Sequence, residues 1–574
     1  MKKRKIKMNI DIKKDMLHAK RDYTDIRHLV EECCELYKDR IAYSFRKKAS
    51  DKEKVEITFP QVRDDVRALT TEFLARGYQG KHVAVIGKNS YEWYLCYFAL
   101  LAADAVIVPL DRDWLANDLA ETVLKAECEV LICDPDIAEK TAVIAERCGI
   151  KDVYDLTAEG ENSVGALVEA GKPKFAESSD AYYGVKLDPT KMQILVFTSG
   201  TTGKGKGVML TTENVLTDLA DVICYVDFGK KTVGVLPPHH TFGSSVMIVG
   251  HMMIGAEIYI SSGIRYVAKE LKEEKPQHMV LVPLYLETFY RKILSNIKSQ
   301  GKEKLVPRMM KISNFLRKIG IDLRKKLFGS IQAAFGGEVK MIISGGAALN
   351  SEMVDFFESV GISTLNGYGI TECAPIISVN HTKRNIKGSI GVPLTIDTIK
   401  ISEPNEDNEG EICVKGSNVM LGYFKDPEAT ADAFDEEGYF KTGDYGKFGD
   451  KGELYITGRK KNLIILSNGK NVYPEEIESE LNTTPGVLDI IVYEGQSKRG
   501  IEHNAIVAEI YPDQDYISKN GITDVKKHLQ PYIDNYNRNA VPYKKIAIVK
   551  VREEEFPKNT LRKIMRFKLD MTID

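Results

Sequence analysis

The chain has 574 residues, of which 43% are hydrophobic and 28% are charged. A single hydrophobic core stops growing at about 250–300 residues, so this length predicts two or more domains. With 80 basic and 82 acidic residues, the composition shows no charge excess that would indicate a nucleic-acid partner.

The N-terminus is basic from Lys2 to Lys7, but no apolar segment follows it, so no secretory signal peptide is expected. The longest apolar stretch, Trp93 to Leu110, is interrupted by Asp104 and is too short to cross a bilayer. The nine cysteines form no C-x-x-C pair, and several lie in apolar runs, which is typical of buried, reduced thiols. These features predict a cytoplasmic protein.

Short β-branched runs alternate with longer amphipathic stretches through the first four-fifths of the chain. The predicted strands are His82–Gly87, Ala105–Leu110, Val130–Cys133, Met192–Phe197, Thr232–Leu236, Met279–Pro283 and Lys340–Ser344. Tyr91–Ala103 and Asp118–Lys125 show helical patterns. This alternation predicts an α/β fold with largely parallel sheets covered by helices, in which ligands bind beyond the carboxyl ends of the strands.

Residues Ile312–Phe335 combine apolar residues at helical spacing with several lysines and arginines. A basic amphipathic helix of this kind can lie on an anionic membrane surface. A surface helix whose apolar face packs on the core produces the same pattern more often, and we expect that arrangement here. Peripheral contact with a membrane is the alternative.

From about Lys387 the pattern changes to short strands separated by glycine-containing turns, which predicts a compact β subdomain. A polar segment, Arg459 to Asn462, then precedes a smaller α+β region with a basic end. We therefore predict a large domain at 1–460, made of helix-covered sheets plus the β subdomain, and a small mobile α+β domain at 461–574.

A glycine-rich segment directly follows the predicted strand at 192–197. Residues 197–208 read FTSGTTGKGKGV, with four glycines, four hydroxyl side chains and two lysines. Glycines let the backbone approach a polyanion, and the hydroxyl and ammonium groups bind its oxygen atoms, so the segment predicts a loop around nucleotide phosphates. It does not match the Walker A pattern. The predicted phosphate-binding residues are Thr198, Ser199, Gly200, Thr201, Thr202, Gly203 and Lys206, and Lys204 supplies further positive charge.

This segment resembles the phosphate loop of the adenylate-forming superfamily, whose pattern is T-S-G-T-T-G-x-P-K-G, with Gly205 at the place of the usual proline. Ser344–Leu349 looks like the adenine-binding turn of that superfamily and implicates Gly346. Residues 366–372 (NGYGITE) are similar to its more specific Y-G-x-T-E motif. The resemblance implies the following roles: adenine stacking for Tyr368, a bond to the α-phosphate for Thr371, and Mg²⁺ binding for Glu372.

Two further segments match the superfamily around the predicted domain boundary. Tyr439–Asp444 matches the T-G-D element, in which Asp444 would accept hydrogen bonds from both ribose hydroxyls. Residues 458–464 (GRKKNLI) resemble the linker between the two domains. The resemblance implies that Arg459 contacts the ribose and that Lys461 is the hinge.

Near the C-terminus, Pro557–Arg566 resembles the motif that carries the adenylation lysine, and Lys563 is the matching residue. Its ammonium group would stabilise charge on the α-phosphate and on the attacking carboxylate. Arg562 stands where the family usually has glycine, so Arg562 and Lys558 are competing cations at this site.

Leu236–Gly243 aligns with the L-P-x-x-H-x-F element of the superfamily, which implies that His240 lies near the acyl substrate. The neighbouring His239 leaves a fragment of a metal site as another interpretation of the two histidines, although no third ligand is evident.

The resemblance extends from about Thr58 to Arg566, and Leu421–Thr430 and Gly458–Glu478 look like bacterial long-chain fatty acid–CoA ligases. It implies that ATP and Mg²⁺ activate a carboxylic acid, expected to be a medium- to long-chain fatty acid, as an acyl-adenylate. Coenzyme A then receives the acyl group, through a tunnel completed by rotation of the small domain and the loop around Gly469. Two alternatives stay open: an acyl carrier protein as acceptor, and a catalytically inactive nucleotide-binding regulatory protein.

Overall fold

The computed structural model describes residues 12–198, 205–346, 349–466, 471–495, 505–558 and 564–573. No helix within these ranges is long and apolar enough to span a membrane. Eight of the nine cysteines are buried, and Cys148 is partly buried.

The strands, in chain order, are β1 (Ile41–Phe45), β2 (Val55–Thr58), β3 (His82–Ile86), β4 (Val106–Leu110), β5 (Cys128–Cys133), β6 (Asp152–Asp155), β7 (Met192–Thr198), β8 (Lys206–Thr211), β9 (Lys231–Gly234), β10 (Glu257–Ile260), β11 (His278–Leu281), β12 (Met341–Ser344), β13 (Ser363–Gly369), β14 (Ile376–Val379), β15 (Val392–Pro393), β16 (Asp397–Ser402), β17 (Gly410–Gly416), β18 (Gly422–Tyr423), β19 (Phe440–Phe448), β20 (Leu454–Arg459), β21 (Ile464–Ile465), β22 (Asn471–Val472), β23 (Val487–Gly495), β24 (Ala505–Pro512) and β25 (Ile548–Val551).

The α-helices are α1 (Ile26–Leu36), α2 (Phe59–Ala75), α3 (Tyr91–Ala102), α4 (Ala116–Lys125), α5 (Ala138–Cys148), α6 (Val164–Glu177), α7 (Asp180–Gly184), α8 (Thr212–Ile223), α9 (Gly250–Ile254), α10 (Val267–Glu274), α11 (Pro283–Ser299), α12 (Leu305–Lys318), α13 (Arg324–Gln332), α14 (Ser351–Val360), α15 (Pro427–Ala433), α16 (Pro474–Leu481), α17 (Gln514–Lys519) and α18 (Val525–Asn539). Phe242–Val249 is a π-helix.

The chain divides into two compact units. The first consists of Met1–Ala347, Met353–Thr398 and Val414–Phe440, and the second of Ala348–Glu352, Ile399–Cys413 and Lys441–Asp574. The predicted division into 1–460 and 461–574 stays a prediction.

The described residues of the first unit form three sheets. Their strand orders are β18-β8-β7-β4-β3-β5-β6, β11-β12-β13-β14-β15 and β2-β1-β10-β9. In the seven-stranded sheet β7, β4, β3, β5 and β6 run parallel, and β8 is antiparallel to β7. The middle strands of this sheet are buried on both faces, which explains their continuous runs of valine and isoleucine. The predicted alternation of strands and helices is therefore confirmed in the first unit.

The second unit holds most of the sheet β16-β17-β19-β20, the sheet β23-β24-β25 and the short pair β21-β22. Its core packs β21 and β22 with α16, α18, β23 and β24, through residues such as Ile464, Val472, Ile477, Val492 and Ile533. The β-rich texture predicted after Lys387 is present, and glycines at positive φ form the turns at Gly438 (78°) and Gly452 (77°).

The structure differs from the sequence prediction in the segment 312–335, which is not one helix. It forms the end of α12, a break, α13 and a 3-10 turn. The break contains Gly320 at φ 86°, and the Asp322 carboxylate accepts a hydrogen bond from the backbone N–H of Arg324, which starts the next helix. Apolar residues keep their helical spacing through the break, so the sequence pattern does not show that the helix ends there.

Candidate active site

Two antiparallel strands frame the predicted phosphate loop. β7 ends at Thr198 and β8 begins at Lys206, and these residues pair in register. The Thr198 hydroxyl donates to the carbonyl oxygen of Lys206 at 3.5 Å. Lys206 is therefore a strand residue. This hairpin was not predicted from the sequence, because glycine and lysine are uncommon in strands. Ser199, Gly200, Thr201, Thr202 and Gly203 lie outside the described residues.

Tyr423 connects this hairpin to Glu372. Its hydroxyl donates to Glu372 Oε1 at 3.0 Å, and the Lys206 Nζ lies 4.6 Å from the centre of its ring. Burial raises the pKa of the Tyr423 hydroxyl far above its ordinary value, and the Glu372 carboxylate adds to this shift, so the hydroxyl stays protonated. The predicted Mg²⁺ ligand Glu372 and the predicted phosphate contact Lys206 thus both contact one side chain, the first at its hydroxyl and the second at its ring.

The glycine turn and Tyr368 lie at the carboxyl ends of two adjacent parallel strands. β12 ends at Ser344 beside β13, which carries Tyr368 near its own end. Gly346 adopts a φ of 92°, a conformation that favours glycine. A Cβ atom on Gly345 would lie only 3.1 Å from the Phe242 ring. This edge of the sheet is where α/β folds bind ligands.

A short 3-10 helix, Thr371–Cys373, follows β13. Thr371 is buried and Glu372 is partly exposed. Just before this helix, a Cβ atom on Gly369 would lie 1.7 Å from the carbonyl oxygen of Pro375, so only glycine fits there. The close approach of these two backbone segments fixes the turn that presents Thr371 and Glu372.

The residues present fit a magnesium ion held largely by a nucleotide. Glu372 offers a hard carboxylate oxygen, and the described residues contain no group of three or more His, Cys, Asp or Glu side chains that could hold a metal ion. Mg²⁺ commonly binds one or two carboxylates together with substrate phosphates and water, rather than an all-protein cage.

The two neighbouring histidines have different environments. The His240 Nδ1 accepts from the backbone N–H of Phe242 at 3.1 Å, and the His240 carbonyl oxygen accepts from the backbone N–H of Ser244 at 2.9 Å. These bonds place His240 at the start of the π-helix. His239 Nε2 instead lies 3.6 Å from Asp111 Oδ2, and burial lowers the His239 pKa while the Asp111 carboxylate opposes the shift.

In the second unit, Asp444 and Arg459 pair across the β19–β20 ladder. The Arg459 Nε lies 3.0 Å from Asp444 Oδ1, and Asp444 is buried. Gly443, at φ 72°, donates its backbone N–H to Glu411 Oε1 at 3.1 Å, and the Lys460 Nζ lies 2.7 Å from Glu411 Oε2. The two residues predicted to contact the ribose are thus held together, and Glu411, which the sequence did not single out, orders both the turn and the linker.

Of the cations predicted at the hinge and near the C-terminus, Lys461 and Lys558 lie within the described residues. Lys461 is exposed in the 3-10 helix Lys460–Asn462. The Lys558 Nζ lies 2.6 Å from Asp489 Oδ2 and 2.7 Å from Glu555 Oε1, so this competitor of Lys563 is held by two carboxylates. Arg562, Lys563 and the loop around Gly469 lie outside the described residues.

Tyr423, Asp111 and Glu411 make contacts in the site that were not predicted from the sequence. For Tyr423 the only signal was its place in Leu421–Thr430, which looks like long-chain ligases. Asp111 follows β4, and Glu411 lies in β17. Neither belongs to a sequence motif, so only their contacts in the structure indicate a role.

Comparison with known proteins places the chain in a family. Residues 30–424 match the model of the AMP-binding enzyme family. Long-chain-fatty-acid–CoA ligase 5 of Mus musculus is 30% identical over 500 residues, which cover 80% of this chain and 71% of that protein. Long-chain-fatty-acid–CoA ligase FadD15 of Mycobacterium bovis is 28% identical over 460 residues, covering 76% of this chain and 75% of the relative.

The fold is shared with solved structures. The crystal structure of ATP-bound MatB from Rhodopseudomonas palustris superimposes with a TM-score of 0.73 at 23% identity, over 94% of this chain and 97% of that chain. The α/β fold class, the resemblance to long-chain fatty acid–CoA ligases and the acid–thiol ligase class predicted from the sequence are confirmed. The chain belongs to the AMP-binding enzyme family, as a relative of the long-chain-fatty-acid–CoA ligases.

Proposed function

We propose that this protein uses ATP and Mg²⁺ to convert a medium- to long-chain fatty acid into its acyl-adenylate, and then transfers the acyl group to coenzyme A. The observation that carries the proposal is the meeting of Lys206 and Glu372 at Tyr423, beside the hairpin that borders the phosphate segment. The choice of a fatty acid rests on the similarity to ligases named for that substrate.

The chemistry proceeds in two displacements. A carboxylate is a poor acyl donor because its leaving group would be oxide. A carboxylate oxygen of the acid attacks the α-phosphorus of ATP, the bond to the bridging oxygen of the β-phosphate breaks, and pyrophosphate leaves. The thiolate of coenzyme A then attacks the acyl carbon, and AMP leaves as the thioester forms. The thiol proton passes to solvent.

The side chains of this protein bind and orient the reactants. Lys206 and the hairpin hold the outer phosphates, Thr371 donates to the α-phosphate, and Lys563 stabilises the charge that develops as the carboxylate approaches. Glu372 would hold Mg²⁺, which neutralises phosphate charge when bound. Tyr368 and Gly346 receive the adenine.

Asp444 binds the ribose hydroxyls, Arg459 holds Asp444 and contacts the ribose, and Lys461 is the hinge about which the small domain turns between the two steps. His240 lies beside the acyl chain. We expect the reaction to take place in the cytoplasm, where thiols such as the buried cysteines stay reduced.

A screen of acids and acceptors tests this function. Pyrophosphate release is measured with fatty acids of increasing length and with aryl acids, and the acyl product is identified by mass spectrometry with coenzyme A or an acyl carrier protein. We expect release that depends on fatty acids and a coenzyme A thioester as product. A thioester formed only on the carrier protein would change the acceptor, and pyrophosphate release only with aryl acids would overturn the fatty-acid assignment.

Peripheral contact with a membrane belongs to the same proposal, and the surface of α12 supports it. Val306 and Ser313 are buried, but Ile312, Phe315 and Ile319 are 59%, 65% and 62% exposed. The exposed residues recur at helical spacing, so they form a second apolar stripe that faces away from the core. α12 therefore has two faces with apolar residues. One packs on the core, as expected from the sequence, and the other is exposed.

Basic side chains surround this stripe. Residues 298–326 contain ten lysines and arginines and two acidic residues, a net charge of +8 in a chain of net charge −2. Lys304, Lys311 and Lys318 are exposed and recur every seven residues, so they form a row beside the stripe. Anionic lipid headgroups complement this charge, whereas a second copy of the same face would repel it.

Vesicle co-sedimentation of the full chain tests the membrane contact. We expect binding to vesicles of phosphatidylcholine with phosphatidylglycerol, weaker binding at high salt, and at least a roughly tenfold loss in the variant Ile312→Ser/Phe315→Ser/Ile319→Ser. The matched control is Leu115→Ser/Leu124→Ser/Ile264→Ser, at residues that are 70%, 50% and 62% exposed elsewhere. Equal binding by both variants, or none by the unmodified chain at low salt, would rule the contact out.

A further inference from the structure

Tyr423 joins two charged groups of opposite sign without being charged itself. Its hydroxyl donates to Glu372 Oε1 at 3.0 Å, and the face of its ring lies 4.6 Å from the Lys206 ammonium group. A hydrogen bond to a carboxylate is stronger than one between neutral groups, and an aromatic face attracts a cation within about 6 Å. Both contacts therefore restrain the side chains that they reach.

The backbone around Tyr423 is fixed to the phosphate hairpin. β18 pairs antiparallel with β8, with Tyr423 opposite Val208. The backbone N–H of Phe424 donates to the carbonyl oxygen of Gly207 at 2.7 Å. The Tyr423 N–H donates to the Thr430 hydroxyl at 2.9 Å, in the helix that follows. The ring is thus held by a strand and not by a loose loop.

The same short segment is also bonded to the backbone of Glu372. The N–H of Met420 donates to the Glu372 carbonyl oxygen at 2.9 Å. Gly422 adopts a φ of 141°, and a Cβ atom there would lie 2.6 Å from the Thr430 methyl carbon, so the turn between Met420 and Tyr423 requires glycine. Residues 420–424 therefore hold both the main chain and the side chain of Glu372 against the hairpin.

We propose that Tyr423 is a positioning residue for the magnesium–nucleotide complex: it orients the Glu372 carboxylate through its hydroxyl and the Lys206 ammonium group through its ring. The proposal rests on the proposed function, because it takes Glu372 as the metal ligand and Lys206 as a phosphate contact. A neutral side chain can restrain both groups without cancelling the charge of either. The carboxylate is then already ordered before the nucleotide binds, so less conformational entropy is lost on binding.

The experiment measures binding, independently of turnover. Electron paramagnetic resonance follows Mn²⁺, as a probe for Mg²⁺, on the full chain in the presence of α,β-methylene ATP, and calorimetry follows the same nucleotide in EDTA. In Tyr423→Phe, which keeps the ring, we expect Mn²⁺ affinity to fall about tenfold. Nucleotide affinity in EDTA should stay unchanged. In Tyr423→Leu, which loses the ring as well, we expect the nucleotide affinity in EDTA to fall about threefold.

The matched control is Tyr91→Phe. Tyr91 is as buried as Tyr423, both being 8% exposed, and its hydroxyl also donates to a carboxylate, Asp65 Oδ2 at 2.8 Å. This variant should leave both affinities unchanged. In the background of Glu372→Gln, adding Tyr423→Phe should produce no further loss of Mn²⁺ affinity, because the charged acceptor is already absent.

The outcomes separate this inference from the function on which it rests. If the unmodified chain binds Mn²⁺ with the nucleotide but Tyr423→Phe binds it equally well, the role of Tyr423 is wrong and the proposed function stands. If Tyr91→Phe weakens binding as much as Tyr423→Phe, the effect is structural and the positioning role is overturned. If the unmodified chain shows no nucleotide-dependent Mn²⁺ binding, the proposed metal site falls and the role of Tyr423 falls with it.

Discussion

The Arg459 guanidinium holds the Asp444 carboxylate: Nε and Oδ1 are 3.0 Å apart, on residues that face each other in the β19–β20 ladder. Asp444 is 2% exposed, while the Arg459 side chain is about half exposed. A buried carboxylate restrained on one side by a cation is suited to accept hydrogen bonds from a pair of hydroxyls. The contact between Asp444 and Arg459 joins two separate sequence motifs, the T-G-D element and the linker, in one structural unit.

Asp444→Asn should raise the KM for ATP about tenfold to a hundredfold, because the amide accepts through one oxygen only and carries no charge. Arg459→Gln should have a smaller effect. Glu409→Gln is the control, since Glu409, which directly precedes β17, makes an ion pair with Lys447 of β19 at 2.9 Å. Steady-state kinetics at saturating acid give the three KM values, and an equal rise in all of them would contradict the ribose assignment.

Lys563→Ala should reduce adenylation by about a hundredfold or more, because a preorganised cation is lost from the transition state. Thioester formation from supplied acyl-adenylate should be largely retained. Lys558→Gln should affect both half-reactions alike and lower thermal stability, since Lys558 is held by Asp489 and Glu555. Separate assays of the two half-reactions test this, and an equal loss of both in Lys563→Ala would show that its role is wrong.

Thr371→Val should lower kcat for adenylation about tenfold, because it removes a hydroxyl donor while keeping the shape of a buried side chain. Thr364→Val on β13 is the matched control: Thr364 is also buried, and its hydroxyl has no hydrogen-bond partner among the described residues. Pyrophosphate exchange measures both variants. A comparable loss in Thr364→Val would mean that packing, and not the hydroxyl of Thr371, causes the effect.

Stability should fall as the pH drops from 6.5 towards 4. His251 and His278 are buried with their Nε2 atoms 2.9 Å apart, and burial lowers the pKa of His251 to about 4 and that of His278 well below its ordinary value. In this pH range the unfolded chain binds more protons than the folded chain, so acidification favours unfolding. With a folded pKa of about 4, His251 alone should lower the free energy of unfolding by about 2 kcal/mol at pH 5 relative to pH 7.5.

Urea unfolding of the full chain at pH 7.5 and pH 5 measures this loss. His251→Gln should be less stable at pH 7.5 but should lose less stability on acidification than the unmodified chain. His18→Gln, at an exposed histidine, should keep the full pH dependence. An unchanged pH dependence in His251→Gln would exclude the histidine pair as its source.

Much of the fold was predictable because its signals are local. The strands β3, β4, β7 and β12 are continuous apolar runs, which the sequence shows whatever the order of the strands in the sheets. The observed bounds of each strand agree with the predicted bounds within two residues. The hairpin strand β8 was not predicted, because its first residues are poor strand formers and its pairing with β7 depends on the neighbouring strand.

The order and spacing of its motifs determined the family of this protein, because each motif is a short run of residue types that phosphate or nucleotide chemistry requires. The tertiary structure decided which side chains meet: Tyr423 and Glu372, Arg459 and Asp444, and Asp111 and His239. It also decided which of the two apolar faces of α12 is covered. Such contacts depend on the packing of distant elements, and a periodic pattern along one chain contains no information on what lies opposite each face.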